Sequence, residues 1–130
     1  MTTFFADTSG FIAALDAQDP QHRRASAWIR ETPDDQYITT NYVVLEAVSL
    51  AHRRLGRAAV ELLIDQLLPL AQIHFVDEAT HMAGVARFLR STPRVSLIDA
   101  VSFEVMDQLG IRTAFAFDRD FSREGYAVVP

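Results

Sequence analysis

A chain of 130 residues, 49% hydrophobic and 22% charged, has room for one ordinary domain over residues 1–130 and enough apolar side chains for a true core, which excludes a disordered or low-complexity protein. The absence of cysteine excludes disulfides, zinc–thiolate sites and thiol catalysis, and suits a reducing cytoplasm. The formal charge of −5 argues against a nucleic-acid partner until four carboxylates are set aside as metal ligands, which leaves the rest nearly neutral; all 12 basic residues are Arg, whose planar fork suits phosphate.

The first residues, Met-Thr-Thr-Phe-Phe-Ala-Asp, lack the basic segment and long apolar stretch of a secretory leader. No apolar run approaches the ~18 residues of a membrane helix, so a cytoplasmic protein is expected. Residues 2–6 read as a strand ending at Asp7, followed by a helix from Thr8 to about Leu15. Asp19-Pro20 has the pattern of an N-cap and first-turn proline for a second helix reaching about Arg30. Residues 36–39 follow the turn Thr32-Pro33-Asp34-Asp35 as a strand, and Thr40 or Asn41 can cap a helix that stops at Gly56. A further helix runs from about Arg57 to Leu68, ended by Pro69. Residues 72–76 read as a strand and 77–90 as a helix. Ser96 opens a helix ending at Gly110, 113–117 form a strand, and Tyr126 to Val129 form the last one. Strands alternating with helices predict a doubly wound α/β fold, a mostly parallel central sheet flanked by helices on both faces. In such sheets ligands sit beyond the carboxyl ends of the strands, where Asp7 and Asp118 both fall.

Each acid has an ordinary explanation. Asp7 and Asp118 can cap helices. Ser96-Leu97-Ile98-Asp99 has the form of a capping box, with the acid reaching back to the cap amide. Glu46 is harder to explain this way: in Tyr42-Val-Val-Leu-Glu-Ala-Val-Ser-Leu-Ala51 only Glu46 and Ser49 are strongly polar. A narrow wet stripe accounts for it, as does a carboxylate on an apolar face with a cation partner. Four acids converging on one crevice would raise each other's pKa unless a cation neutralised them. An all-oxygen set suits Mg²⁺ or Mn²⁺ rather than zinc. Such a centre can lower the pKa of a water, orient a phosphodiester and offset the charge that develops on it.

Phe5-Ala-Asp7-Thr-Ser-Gly, Tyr42-Val-Val-Leu-Glu46, Ser96-Leu-Ile-Asp99-Ala and Ala116-Phe-Asp118-Arg-Asp120-Phe121, in this order, resemble a PIN domain of the VapC type found in bacterial toxin–antitoxin pairs. Asp16-Ala-Gln-Asp19-Pro-Gln-His22, Ser102-Phe-Glu-Val-Met106 and Gly110-Ile-Arg-Thr extend the likeness over nearly the whole chain. The resemblance implies a PIN-like doubly wound sheet. It also implies Asp7, Glu46, Asp99 and Asp118 as catalytic metal ligands, Asp120 as a further candidate ligand, and Mg²⁺ or Mn²⁺ as cofactor. The activity implied is endoribonuclease hydrolysis of RNA, in a homodimer silenced by a cognate antitoxin protein. Thr8 and Ser9 are candidates to hold the ligands in place, or simply to cap the first helix.

Arg23, Arg24, Arg53, Arg54, Arg57, Arg119 and Arg123 are candidates for phosphate contact, with solvated surface roles as the alternative. His22, His52, His74 and His81 show no ligand spacing. The helix pair over 43–68 carries more Leu, Val and Ala than one face buries, leaving surplus for a dimer or antitoxin groove. A receiver-type or aspartate-nucleophile phosphatase would place a lysine beside its phosphoryl group, and this chain has none. A PIN nuclease of RNA maturation and a non-catalytic binding module remain the alternatives.

Overall fold

The computed structural model describes residues 2–130. Five strands, β1 (Thr3–Ala6), β2 (Gln36–Thr40), β3 (Ala71–His74), β4 (Thr113–Phe115) and β5 (Ala127–Val129), form one sheet in the order β3-β2-β1-β4-β5. Every adjacent pair is parallel. Parallel neighbours require crossover connections, and helices supply them. These are α1 (Thr8–Leu15) and α2 (His22–Glu31), then α3 (Asn41–Leu55) and α4 (Arg57–Leu62), then α5 (Glu78–Arg90) and α6 (Leu97–Leu109), with the single turn-and-a-half α7 (Arg119–Arg123) before β5.

Phe4 and Phe5 show that both faces of the sheet are covered. Successive strand residues point to opposite faces, yet Phe4 is 5% and Phe5 0% exposed. Phe4 packs edge-on against Trp28 of α2, while Phe5 lies against Phe121 of α7, which in turn meets Phe103 of α6. No helix among the described residues is long and apolar enough to cross a membrane.

The winding direction fixes where a ligand can sit. The chain builds β1, β2 and β3 outward in one direction, then returns to place β4 and β5 on the other side of β1. The order therefore reverses between β1 and β4, and the crevice at their carboxyl ends is the topological switch point of the sheet. Asp7 N–H donates to Phe115 O across that junction at 3.1 Å.

Local signals account for most boundaries. Thr40 caps α3, its hydroxyl accepting from Val43 N–H at 3.2 Å, and Gly56, at φ +90°, ends it. Ser96 caps α6 and left-handed Gly110 closes it. Two expectations change. The Asp19 carboxylate accepts from Gln21 N–H at 2.8 Å and forms a turn, so α2 begins at His22 rather than at Pro20. The helix after Gly56 is regular only to Leu62; it widens into a π turn over Leu63–Leu67 and tightens into a 3₁₀ turn over Leu68–Leu70, where Pro69 has no N–H to continue the ladder.

Candidate metal centre

Four separate segments deliver acids to the switch point. Asp7 follows β1 and caps α1. Glu46 lies in the second turn of α3, Asp99 in the first turn of α6, and Asp118 caps α7 after β4. All four line one cleft of about 570 Å³, together with Asp19 and Asp120. The rest of the lining includes Thr8, Ser9, Gln21 and Ser96, apolar Ile12, Leu50 and Phe117, and two arginines, Arg54 and Arg94. No histidine borders it.

Asp7 and Asp118 combine capping with display. Asp7 Oδ2 accepts from Ser9 N–H at 3.1 Å and from the Ser9 hydroxyl at 2.6 Å. Asp118 Oδ1 accepts from Asp120 N–H at 2.8 Å. Each spends one oxygen on a helix terminus. Asp99 behaves differently. Ser96 Oγ accepts from Asp99 N–H at 3.1 Å, but among the described residues the reciprocal bond from Ser96 N–H to the Asp99 carboxylate is not formed. The capping box is half made, and its acid is left for the cleft.

Asp99, Asp118 and Asp120 each offer a carboxylate oxygen within 4.8 Å of the others. Asp120, from the sequence only a further candidate, is thus closer to Asp99 and Asp118 than its position suggests; it is 8% exposed and also accepts from Arg123 at 3.2 Å. Asp120 thus faces the two other acids and an arginine at once.

The electrostatics follow from this crowding. Asp7, 3% exposed, is pushed up to about 6 by burial, opposed by the Ser9 hydrogen bonds and assisted by Asp118. Asp99, 8% exposed, is pushed up to about 7, first by burial and then by the charges of Asp7, Asp118, Asp120 and Glu46. Burial also raises Asp118, with Arg123 pulling the other way. Among the described residues none of Asp7, Glu46, Asp99 or Asp118 has a salt bridge. Buried, unpaired carboxylates this close together cost free energy unless a cation joins them. The Thr8 hydroxyl, buried in the same lining, has no hydrogen-bond partner among the described residues. An all-oxygen donor set, uncompensated negative charge and an orphaned hydroxyl fit a hard divalent cation.

Sequence reasoning missed Arg94, Asp19 and Gln21 as residues of the cleft. Asp19 and Gln21 follow from the turn that delays α2. Arg94 sits beside Pro93 in a loop, where nothing in the local pattern sets it apart from other exposed arginines. Of the seven arginines that the sequence offers for phosphate contact, only Arg54 borders the cleft.

The comparisons with known proteins agree with this geometry. The PIN domain family model matches residues 4–125. The 23S rRNA-specific endonuclease VapC20 of Mycobacterium tuberculosis is 35% identical over 128 residues, covering 96% of either chain. The crystal structure of that protein, described as a sarcin–ricin loop cleaving toxin, superposes with a TM-score of 0.88 over 98% of this chain and 99% of the other. FitAcB from Neisseria gonorrhoeae, 19% identical, shares the fold with a TM-score of 0.69 over 98% of this chain and 96% of that one. A family match over nearly the whole length, with a relative 35% identical over 96% of the chain, places this chain in the PIN-domain family, whose members are metal-dependent nucleases.

Proposed function

We propose that residues 1–130 form a single PIN domain acting as a Mg²⁺- or Mn²⁺-dependent endoribonuclease, the toxin of a toxin–antitoxin pair. One observation carries the chemistry: four acids far apart in sequence, Asp7, Glu46, Asp99 and Asp118, line one cleft at the switch point of the sheet, with no salt bridge to any of them among the described residues. RNA as substrate is supported by the 35% identity to a 23S rRNA-specific endonuclease over 96% of the chain. The same relative suggests the sarcin–ricin loop of the large ribosomal RNA as the target.

In this reading Asp7, Glu46, Asp99 and Asp118 hold the metal, and Asp120 adds a further carboxylate. When bound, such an ion offsets the clustered charge, polarises a phosphodiester and makes water a better nucleophile near neutral pH. The chain's own contribution is positional. Ser9 fixes the Asp7 carboxylate by two hydrogen bonds. Asp99 and Asp118 sit at helix N-termini, whose positive dipole ends lower the cost of keeping them ionised. The apolar Ile12, Leu50 and Phe117 border the acids and lower the local dielectric, which strengthens the field that a phosphate meets there.

The protein is proposed to act in the cytoplasm as a homodimer neutralised by an antitoxin. Exposed Leu62, Ile64 and Leu70 on α4 and its extension support a partner surface.

The deciding experiment incubates the purified protein with intact ribosomes and with deproteinised total RNA, in Mg²⁺, Mn²⁺ or EDTA. Cut sites are mapped by primer extension, with Asp7→Asn and Asp99→Asn alongside. The expected result is metal-dependent cleavage of ribosomal RNA, lost in both variants while their circular dichroism is unchanged. Full activity in either variant would overturn the site, and activity undiminished by EDTA would overturn the metal.

A further inference from the structure

The cleft that suits a cation does not, by its acids, suit RNA. Its carboxylates far outnumber its two guanidiniums, and a polynucleotide brings a negative charge with every linkage. Cation binding offsets only part of this excess, so the backbone needs positive anchors close to the acids.

Among the described residues Arg54 and Arg94 are the only arginines of the lining. Both are exposed, and among the described residues neither makes a salt bridge or a side-chain hydrogen bond. Other arginines are committed elsewhere: Arg57 to Glu61, Arg87 and Arg112 to Asp107, Arg123 to Asp120. The helix geometry gives Arg54 its position. Glu46, Leu50 and Arg54 recur at every fourth residue on one face of α3, and all three line the cleft. The rise of α3 carries Arg54 about 12 Å along the axis from Glu46, far enough to meet a neighbouring phosphate rather than the one at the acids. Arg94 comes from the loop before α6. It also borders an adjoining depression lined by Thr92, Asp120, Arg123 and Glu124, so the surface continues past it. Phe117, half-buried, also lines the cleft, with the Arg24 guanidinium over its ring at 5.6 Å from the centroid.

We infer that Arg54 and Arg94 bind backbone phosphates adjacent to the scissile linkage and so lay the RNA strand across the acidic cleft. This rests on the nuclease reading above. Guanidinium forks suit the role because each can meet two phosphate oxygens at once.

The test uses Arg54→Gln, Arg94→Gln and the double variant, with Arg90→Gln as a control. Arg90 is exposed at the end of α5 and lies outside the cleft lining. Each single variant is expected to raise KM for ribosomal RNA about five- to tenfold and leave kcat within about twofold, since a charged hydrogen bond is lost in binding rather than in chemistry. The dependence of log KM on log salt should flatten by about 0.7 for each phosphate contact removed. Unchanged KM and salt slope in the double variant, with wild type active, would overturn the inference and leave the nuclease intact. The same arginine changes placed in Asp7→Asn, in EDTA, are measured for affinity to a labelled single-stranded RNA oligonucleotide. This arm does not depend on activity. Affinity equal to that of Asp7→Asn alone would overturn the inference, whereas a fall of about fivefold or more would uphold phosphate binding by the two arginines; a wild type that cleaves no RNA would then count against the nuclease reading and not against these contacts.

Discussion

The Ser9 hydroxyl donates to Asp7 Oδ2 at 2.6 Å and accepts from Phe117 N–H at 3.0 Å, so one oxygen joins the end of β1 to the loop after β4, 108 residues later. That loop carries Asp118. A change at Ser9 therefore acts on Asp7 directly and on Asp118 through the Phe117 amide. Ser9→Ala leaves the Phe117 amide without its partner, at a cost of about 1–3 kcal/mol. It also leaves Asp7 held by the residue-9 backbone N–H alone, and for this looser carboxylate a loss of cleavage rate of about tenfold to a hundredfold is expected, on the order of what misplaced groups cost. Urea unfolding and initial rates on the same preparation separate the two effects. A variant less stable but fully active would make Ser9 a structural strut only. From the sequence, Thr8 and Ser9 are equally good candidates to hold the ligands or to cap a helix. The structure gives Ser9 the first task, since Asp7 itself caps the helix, and among the described residues it leaves the Thr8 hydroxyl without a partner. The sequence does mark Glu46, because a lone acid in an apolar helix is conspicuous. It does not mark Arg94, because its place beside the cleft depends on how the loop after α5 folds back, and that is a tertiary fact.

At the scale of elements, legibility follows the range of the signal. The helices α3 and α6 begin and end where Thr40, Gly56, Ser96 and Gly110 indicate, because caps act within one turn. The start of α2 is less legible because Asp19-Pro20 satisfies the cap pattern and the turn pattern equally, and the turn prevails. The π turn after Leu62 has no local mark that separates it from an ordinary helix. Close helix contact leaves a trace only where a glycine sits in a helix. Gly84 of α5 is such a case: a Cβ there would collide with the Val101 side chain and lie 3.1 Å from its Cα. Alanine gains up to about 1 kcal/mol in helix propensity, but α5 and α6 must separate to admit it, at about 1–3 kcal/mol. Because backbone as well as a side chain blocks the site, overpacking wins. Gly84→Ala is expected to lower the melting temperature by several degrees, and an increase would mean that α5 and α6 have room to admit the methyl group.

For the molecule as a whole, the cleft is a burden on the fold that a cation relieves. Asp7 and Asp99 ionise near 6 and 7 in the folded chain, against 3.8 for both when exposed. Their folded-state pKa values are raised, so between about pH 4 and 7 the native state holds protons that the unfolded chain has already lost. Stability from this pair is full below about pH 4 and declines as pH rises through 6 and 7, with each carboxyl losing up to about 1.4 kcal/mol per pH unit until it ionises in the fold. A divalent cation binds the folded, deprotonated form, and at a hundred times its dissociation constant would return about 2.7 kcal/mol. In EDTA the melting temperature should therefore fall between pH 5.5 and pH 8, and Mn²⁺ or Mg²⁺ should raise it far more at pH 8 than at pH 5.5. Asp99→Asn removes one of the titrating groups and one of the proposed ligands together. Its metal-free fold should be more stable than wild type at pH 8, its pH profile flatter, and its response to metal weak. Thermal unfolding of both proteins across that range, with and without metal, decides the matter. Identical profiles for wild type and Asp99→Asn would mean that the acids bear no such strain. A metal response independent of pH would place the cation somewhere other than on these two carboxylates.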